Sequence, residues 1–250
     1  MRVFLLSLSL FLSCFTHAQS KTIRIAAIDW CPQICVGKQE QGYVVDIVKE
    51  VYKDSGYKLE IEFLPWSRAI KYVLSGKADA LLSPAKAEAP ELLYPNNPVG
   101  AQTMCFYTEK SSNWIYQGRD SLAGLQIGIA IDTSIEELND YVAAHPEQFQ
   151  FQPYHERFIL QNAGKLTKRR MDTFLFTQHS TQYELQNAGQ WENYREAGCV
   201  SRASIYMAFS PAGCKQRRIG EMVSMFEQRM TALEKTGFIK STMEKYGLSL

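Results

Sequence analysis

The fold of this chain is decided by residues 22–82, which read TIRIAAIDWCPQICVGKQEQGYVVDIVKEVYKDSGYKLEIEFLPWSRAIKYVLSGKADALL. The first segment, Thr22–Ile28, is rich in β-branched residues, which favour an extended strand. Apolar residues then recur at helical spacing over 44–52, and Gly56 is a typical residue at which a helix ends. The stretch therefore opens with a strand followed by a helix.

The rest of this stretch repeats the same alternation. Charged and apolar residues alternate over 58–64, as they do in a strand, and Pro65 ends that strand. Residues 66–74 then read as a helix and residues 78–82 as a buried apolar strand. The order strand–helix–strand–helix–strand is typical of a parallel sheet with helices on its faces, so we assign the chain to the α/β class.

A second α/β unit follows a Pro-rich loop. Its predicted strands are 126–131, 149–151 and 173–176, and its predicted helices begin at Thr133 and span 157–166. Extended runs at 104–108 and 205–209 join the two units, and helices at 215–235 and 238–245 end the chain. Two such units joined by two strands predict two lobes with a hinge. Since open sheets bind ligands beyond the carboxyl ends of their strands, the ligand site is expected in a cleft between the lobes.

The N-terminus has the features of a signal peptide. Arg2 precedes a short apolar run, Val3–Phe15, and the small residues Thr16 and Ala18 occupy the positions that a signal peptidase reads. The run is too short to cross a bilayer. We therefore expect residues 1–18 to be removed after Ala18 and the mature protein to reside in the periplasm.

Five cysteines remain after this cleavage, and an exported chain can form disulfides. Cys31 and Cys35 are close enough to pair within one loop, and Cys199 and Cys214 flank a strand-like stretch whose ends they would bridge. Cys105 lies in an apolar strand and reads as a buried thiol. The sequence alone leaves the pairing open.

Composition excludes several other classes of partner. The chain has 27 basic and 26 acidic residues and a net charge of +1, which indicates neither a nucleic-acid partner nor an anionic membrane. The three mature histidines, His145, His155 and His179, are scattered along the chain. We predict neither a metal nor a cofactor.

Five segments, in order, resemble the periplasmic solute-binding proteins of the amino-acid type, family 3. They are GYVVDIV at 42–48; LPWSRA at 64–69 with LSGKADA at 74–80; LAGLQIGI at 122–129 leading to Asp132-Thr133-Ser134; RRMDT at 169–173; and GFIKSTMEKYG at 237–247. Together they span nearly the whole mature chain.

This resemblance implies a two-lobed type II periplasmic-binding fold with two hinge strands. The first lobe would comprise 19–105 and 210–250, the second 106–209, and the hinge 104–108 and 205–209. The implied function is capture of a small polar solute, amino-acid-like or an organic acid, by a monomeric binding protein that hands it to an ABC transporter permease. The protein would then not be an enzyme.

Three residues of the predicted first lobe are candidates for contact with the ligand. Trp30 follows the first strand and Trp66 begins a helix; either ring would stack on a ligand or attract a cation, or would instead pack within the fold. Arg68 would clamp a carboxylate through two parallel hydrogen bonds, or would lie free at the surface.

Further candidates come from the family's amino-acid clamp, which is altered here. Where the family has roughly Thr-x-x-Arg, this chain has Ser83-Pro84-Ala85-Lys86, and where it has an ammonium-binding aspartate, this chain has Thr177. Asp132, Thr133 and Ser134 lie at a predicted strand-to-helix turn, where backbone N–H groups favour anions, or where one of them merely caps the helix. The ligand itself is therefore not read from the sequence.

Two alternatives remain open. The same lobes would serve a periplasmic sensor subunit that presents its ligand to a membrane receptor. An enzyme similar to cyclohexadienyl dehydratases would need an acid or base in the cleft. The candidates for that role, Glu88, Glu91, His155 and His179, lie in no motif that connects them to chemistry.

Overall fold

The computed structural model describes residues 21–131, 133, 135–212 and 216–248. The predicted signal peptide, Asp132, Ser134 and Cys214 lie outside these residues.

Eight strands of the described ranges form one mixed sheet. They are β1 (Lys21–Ala27), β2 (Tyr57–Phe63), β3 (Ala80–Ala85), β4 (Gly100–Glu109), β5 (Ile127–Ala130), β6 (Phe149–Gln152), β7 (Thr173–Thr177) and β8 (Tyr194–Phe209). Their order across the sheet is β2-β1-β3-β8-β4-β7-β5-β6.

Helices cover this sheet. They are α1 (Tyr43–Tyr52), α2 (Trp66–Leu74), α3 (Asn139–Ala144), α4 (Phe158–Thr167), α5 (Gln178–Asn187), α6 (Gln216–Lys235) and α7 (Phe238–Lys245). Helix α1 packs against α6 and α7, α2 covers β1 and β3, and α4 and α5 contact β4 and β7. None of the helices in the described ranges is both long and apolar enough to cross a bilayer.

The sheet has two parallel halves joined by two long antiparallel strands. In the first half β2, β1 and β3 run parallel, and in the second half β6, β5 and β7 do. The chain crosses from the first half to the second in β4 and returns in β8. Strands β4 and β8 pair along the whole of β4, from Gly100 opposite Ile205 to Glu109 opposite Tyr194. β4 also pairs with β7 over 104–107, and β8 also pairs with β3 from 205 to 209. The segments predicted as hinge strands lie in β4 and β8 where these additional pairings occur.

Most predicted elements are present within two or three residues of their expected bounds, and four differ. Strand β4 begins at Gly100, four residues before the predicted start at Met104. The helix predicted from Thr133 begins instead at Asn139, after a 3₁₀ turn over Glu136–Leu138. Helix α5 was not predicted, because its sequence QHSTQYELQN has almost no apolar periodicity. Strand β8 extends well upstream of the apolar run at its end, because its polar half is held by pairing with β4.

The structure corrects two of the cysteine interpretations. Cys31 pairs with Cys35, but Cys105 is not a free thiol: it pairs with Cys199 across β4 and β8. Cys199 is therefore not available to Cys214. Glu196 lies close to this second disulfide, within the range in which three ligands can share a metal, but two oxidised sulfurs offer no thiolate.

Candidate ligand cleft

The two halves of the sheet meet through a buried hydrogen bond at the carboxyl ends of β1 and β7. Trp30 follows β1, and its indole Nε1 donates to the Thr177 hydroxyl at 3.1 Å. The exposed fractions of the two residues are 6% and 3%. Two of the predicted site residues, 147 positions apart in the chain, are thus in direct contact.

A short disulfide loop carries the next contact. Trp30 and Ile34 bridge each other through their backbones, with the Cys31–Cys35 disulfide closing the loop between them. Gln33 at its tip is fully buried, and its Oε1 accepts a hydrogen bond from the Ser180 hydroxyl of α5 at 3.4 Å. The Gln33 Nε2 has no partner among the described residues. A buried donor left free in this position is one that a ligand can use.

The glycine of the first family-like segment holds this loop in place. Gly42 has φ +99°, and a Cβ there would lie 2.3 Å from the Gln33 carbonyl oxygen. The adjacent backbone completes the packing, because the Val44 N–H donates to that same carbonyl at 3.1 Å. Gly42 therefore lets helix α1 begin directly against the loop that presents Gln33.

A third contact lies at the rim. The Lys38 ammonium is 3.5 Å from the Tyr183 hydroxyl and 5.0 Å from the centre of that ring. Residues 30–38 of the first half thus face 177–183 at the end of β7 and along α5. The residues that face the first half recur every three positions: Thr177, which immediately precedes α5, then Ser180 and Tyr183 within it. This spacing places them on one side of the helix.

Ser83 is the most strained of the predicted site residues. It lies in β3 where the pairing with β8 shifts register between Leu82 and Ala85, and its φ is +67°. Its hydroxyl is buried and has no partner among the described residues. A non-glycine residue in the left-handed region costs roughly 1–3 kcal/mol and is concentrated at functional sites.

Lys86 lies apart from the Trp30–Thr177 contact. Its ammonium is 5.1 Å from the centre of the Tyr206 ring and 5.9 Å from that of Tyr94, and the two rings meet edge to face. Lys86 and Tyr206 line a cavity of about 720 Å³, together with Glu137 and Asn139 of the second half.

Trp66 lines a different cavity of about 540 Å³ that both halves bound. The first half contributes Ile28, Asp29, Phe63, Leu64, Pro65, Trp66 and Ser67, and the second contributes Ile131, Pro153, Tyr154 and His155. Arg68, one turn into α2, is exposed and is not among the residues that line this cavity.

Thr133 is half-buried and does not begin a helix. Because α3 starts only at Asn139, the prediction that a helix begins at Thr133 is wrong. Asn139 itself accepts a hydrogen bond from the Ile135 N–H at 3.0 Å, so it caps the turn that precedes α3.

The electrostatics of the 540 Å³ cavity are negative. Burial raises the pKa of Tyr154, and the charges of Asp29 and Glu184 raise it further. Burial also raises the pKa of Glu184; Lys38 opposes this shift, while Asp29 and Glu156 reinforce it. Three carboxylates therefore influence one corner of the cleft, with Lys38 as the cation that offsets them.

The sequence pointed to Trp30 and Trp66 because they lie at the end of a strand and the start of a helix, and the resemblance to the family pointed to Ser83 and Thr177. The sequence missed Gln33, Ser180 and Asp29. Asp29 had a usable signal, since it also follows β1, but nothing in the sequence marks the contact between Gln33 and Ser180 across 147 residues.

This chain resembles known proteins both in family and in structure. The family model of bacterial extracellular solute-binding proteins, family 3, matches residues 25–249. No curated protein sequence matches the chain.

Several solved structures are similar. One, from work on glutathione import via GshT and the cystine ABC importer TcyBC of Streptococcus mutans, has a TM-score of 0.75 at 17% identity and covers 91% of this chain and 95% of its own. A putative L-cystine ABC transporter protein from Listeria monocytogenes has a TM-score of 0.71 at 18% identity, with 90% and 95% covered. A histidine kinase sensor domain with similarity to periplasmic binding proteins has a TM-score of 0.72 at 16% identity, with the same coverage of 90% and 95%.

At such identities the likeness shows the fold, which is the two-lobed type II periplasmic-binding architecture expected from the sequence. The family model covers nearly the whole described chain, from β1 through α7. This chain belongs to the bacterial extracellular solute-binding proteins of family 3.

Proposed function

We propose that this protein captures a small polar solute, amino-acid-like or an organic acid, in the cleft between its lobes and delivers it to an ABC transporter permease. The observation that carries the proposal is the hydrogen bond from Trp30 to Thr177, which joins the two halves. Among the described residues, the buried Ser83 hydroxyl and the buried Gln33 Nε2 have no hydrogen-bond partner. A buried site whose polar side chains lack hydrogen-bond partners is suited to a solute that has hydrogen-bonding groups of its own.

The proposed lobes are residues 19–105 with 210–250, and residues 106–209. Capture then follows from a hinge in the β4–β8 ribbon: a solute held by one lobe stabilises the closed form through contacts that exist only when both lobes meet. We propose Trp30, Trp66, Ser83 and Thr177 as ligand contacts on the evidence of their positions. Arg68 and Lys86 would supply the positive charge that a ligand carboxylate needs. The proposed set is completed by Asp132, Thr133 and Ser134.

Two similar structures support the transport role by analogy, since one is described with a cystine ABC importer and the other as a putative L-cystine ABC transporter. Export fits the same role: we propose that residues 1–18 direct the chain to the periplasm, where it acts as a monomer. N-terminal sequencing of the periplasmic protein checks the cleavage after Ala18.

A thermal-shift screen of the mature chain against a metabolite library tests the proposal. A ligand that binds the native state alone stabilises it by RT ln(1 + [L]/Kd), or about 2.7 kcal/mol at a hundredfold excess over Kd. At least one amino-acid-like compound or organic acid is expected to raise Tm with this logarithmic dependence. A library in which no compound raises Tm contradicts the proposal.

A sensor subunit is the second candidate, because a histidine kinase sensor domain has the same fold at a TM-score of 0.72. Co-purification separates the two roles: a transport protein retains a permease partner after cross-linking in membranes, and a sensor subunit retains a receptor.

We propose that the protein is not an enzyme. The test is recovery of the bound solute by mass spectrometry after prolonged incubation, with arogenate and prephenate included. An unchanged solute supports a binding role, and turnover of either compound contradicts it.

A further inference from the structure

The cavity of about 540 Å³ between Trp66 and Tyr154 has a composition that selects one chemical class of solute. We propose that it takes an organic cation, namely an amine that carries an aromatic or branched aliphatic body. This inference rests on the proposed function of solute capture, but it assigns an amine without a carboxylate in place of the amino-acid-like compound or organic acid named there.

The walls of the cavity are apolar on both sides. The first half offers Ile28, Phe63, Leu64, Pro65 and Trp66, and the second offers Ile131, Pro153 and Tyr154. Phe63 and Ile131 are 43% and 39% exposed, which is unusual for large hydrophobic residues on opposing walls. An apolar body between them would remove this surface from water, at roughly 25 cal/mol for each Å².

One acidic side chain, Asp29, lines the cavity. Its Oδ1 accepts a hydrogen bond from the Val36 N–H at 3.0 Å, which fixes the carboxylate at the end of β1. In the described part of the chain Asp29 forms no ion pair at salt-bridge distance. A carboxylate held beside the rings of Trp66 and Tyr154 is the arrangement that binds an ammonium through an ion pair and cation–π attraction.

The surroundings reinforce this selection. Two further acidic side chains lie near Asp29. Burial is the main cause of the raised pKa of Tyr154 and of Glu184, but the charge of Asp29 adds to both shifts, together with Glu184 on Tyr154 and with Glu156 on Glu184. Lys38, the cation that opposes them, is turned to the Tyr183 ring at 5.0 Å.

An anion would find no partner in this cavity. No lysine or arginine is among its lining residues. Arg68 is exposed on α2 outside the lining, and Lys86 lies against Tyr94 and Tyr206. The Nδ1 of His155 is already engaged, because it accepts a hydrogen bond from the Arg157 N–H at 3.2 Å. A carboxylate buried here would lose its hydration without gaining a lysine or arginine partner, so an amine is favoured over an acid or a zwitterion.

Three probes of one shape test the inference by calorimetric titration of the mature chain: 2-phenylethylamine, 3-phenylpropionate and phenylalanine. The amine is expected to bind at least tenfold more tightly than the acid or the amino acid. Asp29→Asn should lower its affinity at least tenfold, while the Asn oxygen still accepts from the Val36 N–H and the fold is kept. Asp120→Asn, which removes the same charge from the exposed turn Arg119–Leu122, is the matched control and should bind as the wild type does.

The outcomes separate this inference from the proposed function. If 3-phenylpropionate or phenylalanine binds best, or if Asp29→Asn binds the amine as well as the wild type, the inference is overturned and solute capture stands. If none of the probes binds while an acid or zwitterion from the metabolite library does, the inference is again overturned and solute capture again stands. If no probe and no library compound binds, both are overturned.

Discussion

The Trp30 indole donates a hydrogen bond to the Thr177 hydroxyl at 3.1 Å, and this bond joins the first half of the molecule to the second. The resemblance to family 3 places an ammonium-binding aspartate at position 177. Here the position is a neutral hydroxyl that a tryptophan of the opposite half already engages. The protein therefore joins its halves at the position where the resemblance implies an ammonium-binding carboxylate, and a ligand there would meet a neutral hydroxyl instead.

Removing this bond should loosen the closed form. A buried hydrogen bond contributes about 1 kcal/mol net, and a buried acceptor left alone costs about 1–3 kcal/mol. We expect Trp30→Phe to increase the radius of gyration of the ligand-free protein in small-angle X-ray scattering. Trp191→Phe, a half-buried tryptophan at the start of a 3₁₀ turn of the second half, is the control. An unchanged radius in Trp30→Phe would show that this bond does not hold the halves closed.

Replacing Ser83 with glycine should stabilise the fold but weaken ligand binding. Its φ of +67° is strained for serine and accessible to glycine, so Ser83→Gly should raise the free energy of unfolding by up to about 1 kcal/mol. The same variant loses the buried hydroxyl and should bind the screened ligand more weakly. Ser83→Ala keeps the strain and should lose affinity without gaining stability. Tighter binding in either variant would remove Ser83 from the proposed site.

The two disulfides should differ in what they stabilise. Cys31–Cys35 closes a separation of 4 residues and Cys105–Cys199 one of 94. Loop-closure entropy predicts losses of about 2 and about 4.7 kcal/mol respectively. Urea unfolding of Cys31→Ser/Cys35→Ser and of Cys105→Ser/Cys199→Ser measures both. The first pair should also reduce ligand affinity, because it holds the loop of Gln33; equal stability losses with unchanged affinity would contradict this division.

Glu184 should make stability depend on pH in a direction opposite to most carboxylates. Its pKa is raised, chiefly by burial, so the native state binds this proton more tightly than the unfolded state. Above the native pKa the ionised group therefore lowers stability, and the deficit vanishes as pH falls below about 4.3. Glu184→Gln should unfold at higher urea than the wild type at pH 8, with the gap closing towards pH 4. Glu192→Gln, in an exposed turn, is the control, and a gap that widens towards low pH would reverse the assignment.

The sequence predicted the parts of this fold that rest on local periodicity. Helices α2 and α7 begin and end at the predicted residues, and α1 and α6 each deviate by one residue. Helix α5 was not predicted because its ten residues are mostly polar. In the structure Leu185 is fully buried and the Thr181 hydroxyl donates to the Thr177 carbonyl at 2.9 Å. Its stability comes from tertiary packing, which no window of sequence records.

The site was predictable to the extent that strand ends mark it. Trp30 follows β1 and Thr177 ends β7, and ligands in open α/β sheets bind beyond the carboxyl ends of the strands. The pairing of Cys105 with Cys199 was not predictable, because it depends on the register of β4 against β8. The same holds for the cavity at Trp66, whose opposite wall at Tyr154 lies on the other half of the molecule.

We propose above all that one small solute is captured, unchanged, in the cleft between the lobes. The decisive experiment is calorimetric titration of the mature chain with the compound from the thermal-shift screen, in the wild type and in Trp66→Ala, with Trp191→Ala as the control. We expect one molecule bound per chain and at least tenfold weaker binding in Trp66→Ala alone. Binding that survives intact in Trp66→Ala, or a stoichiometry far from one, would contradict it.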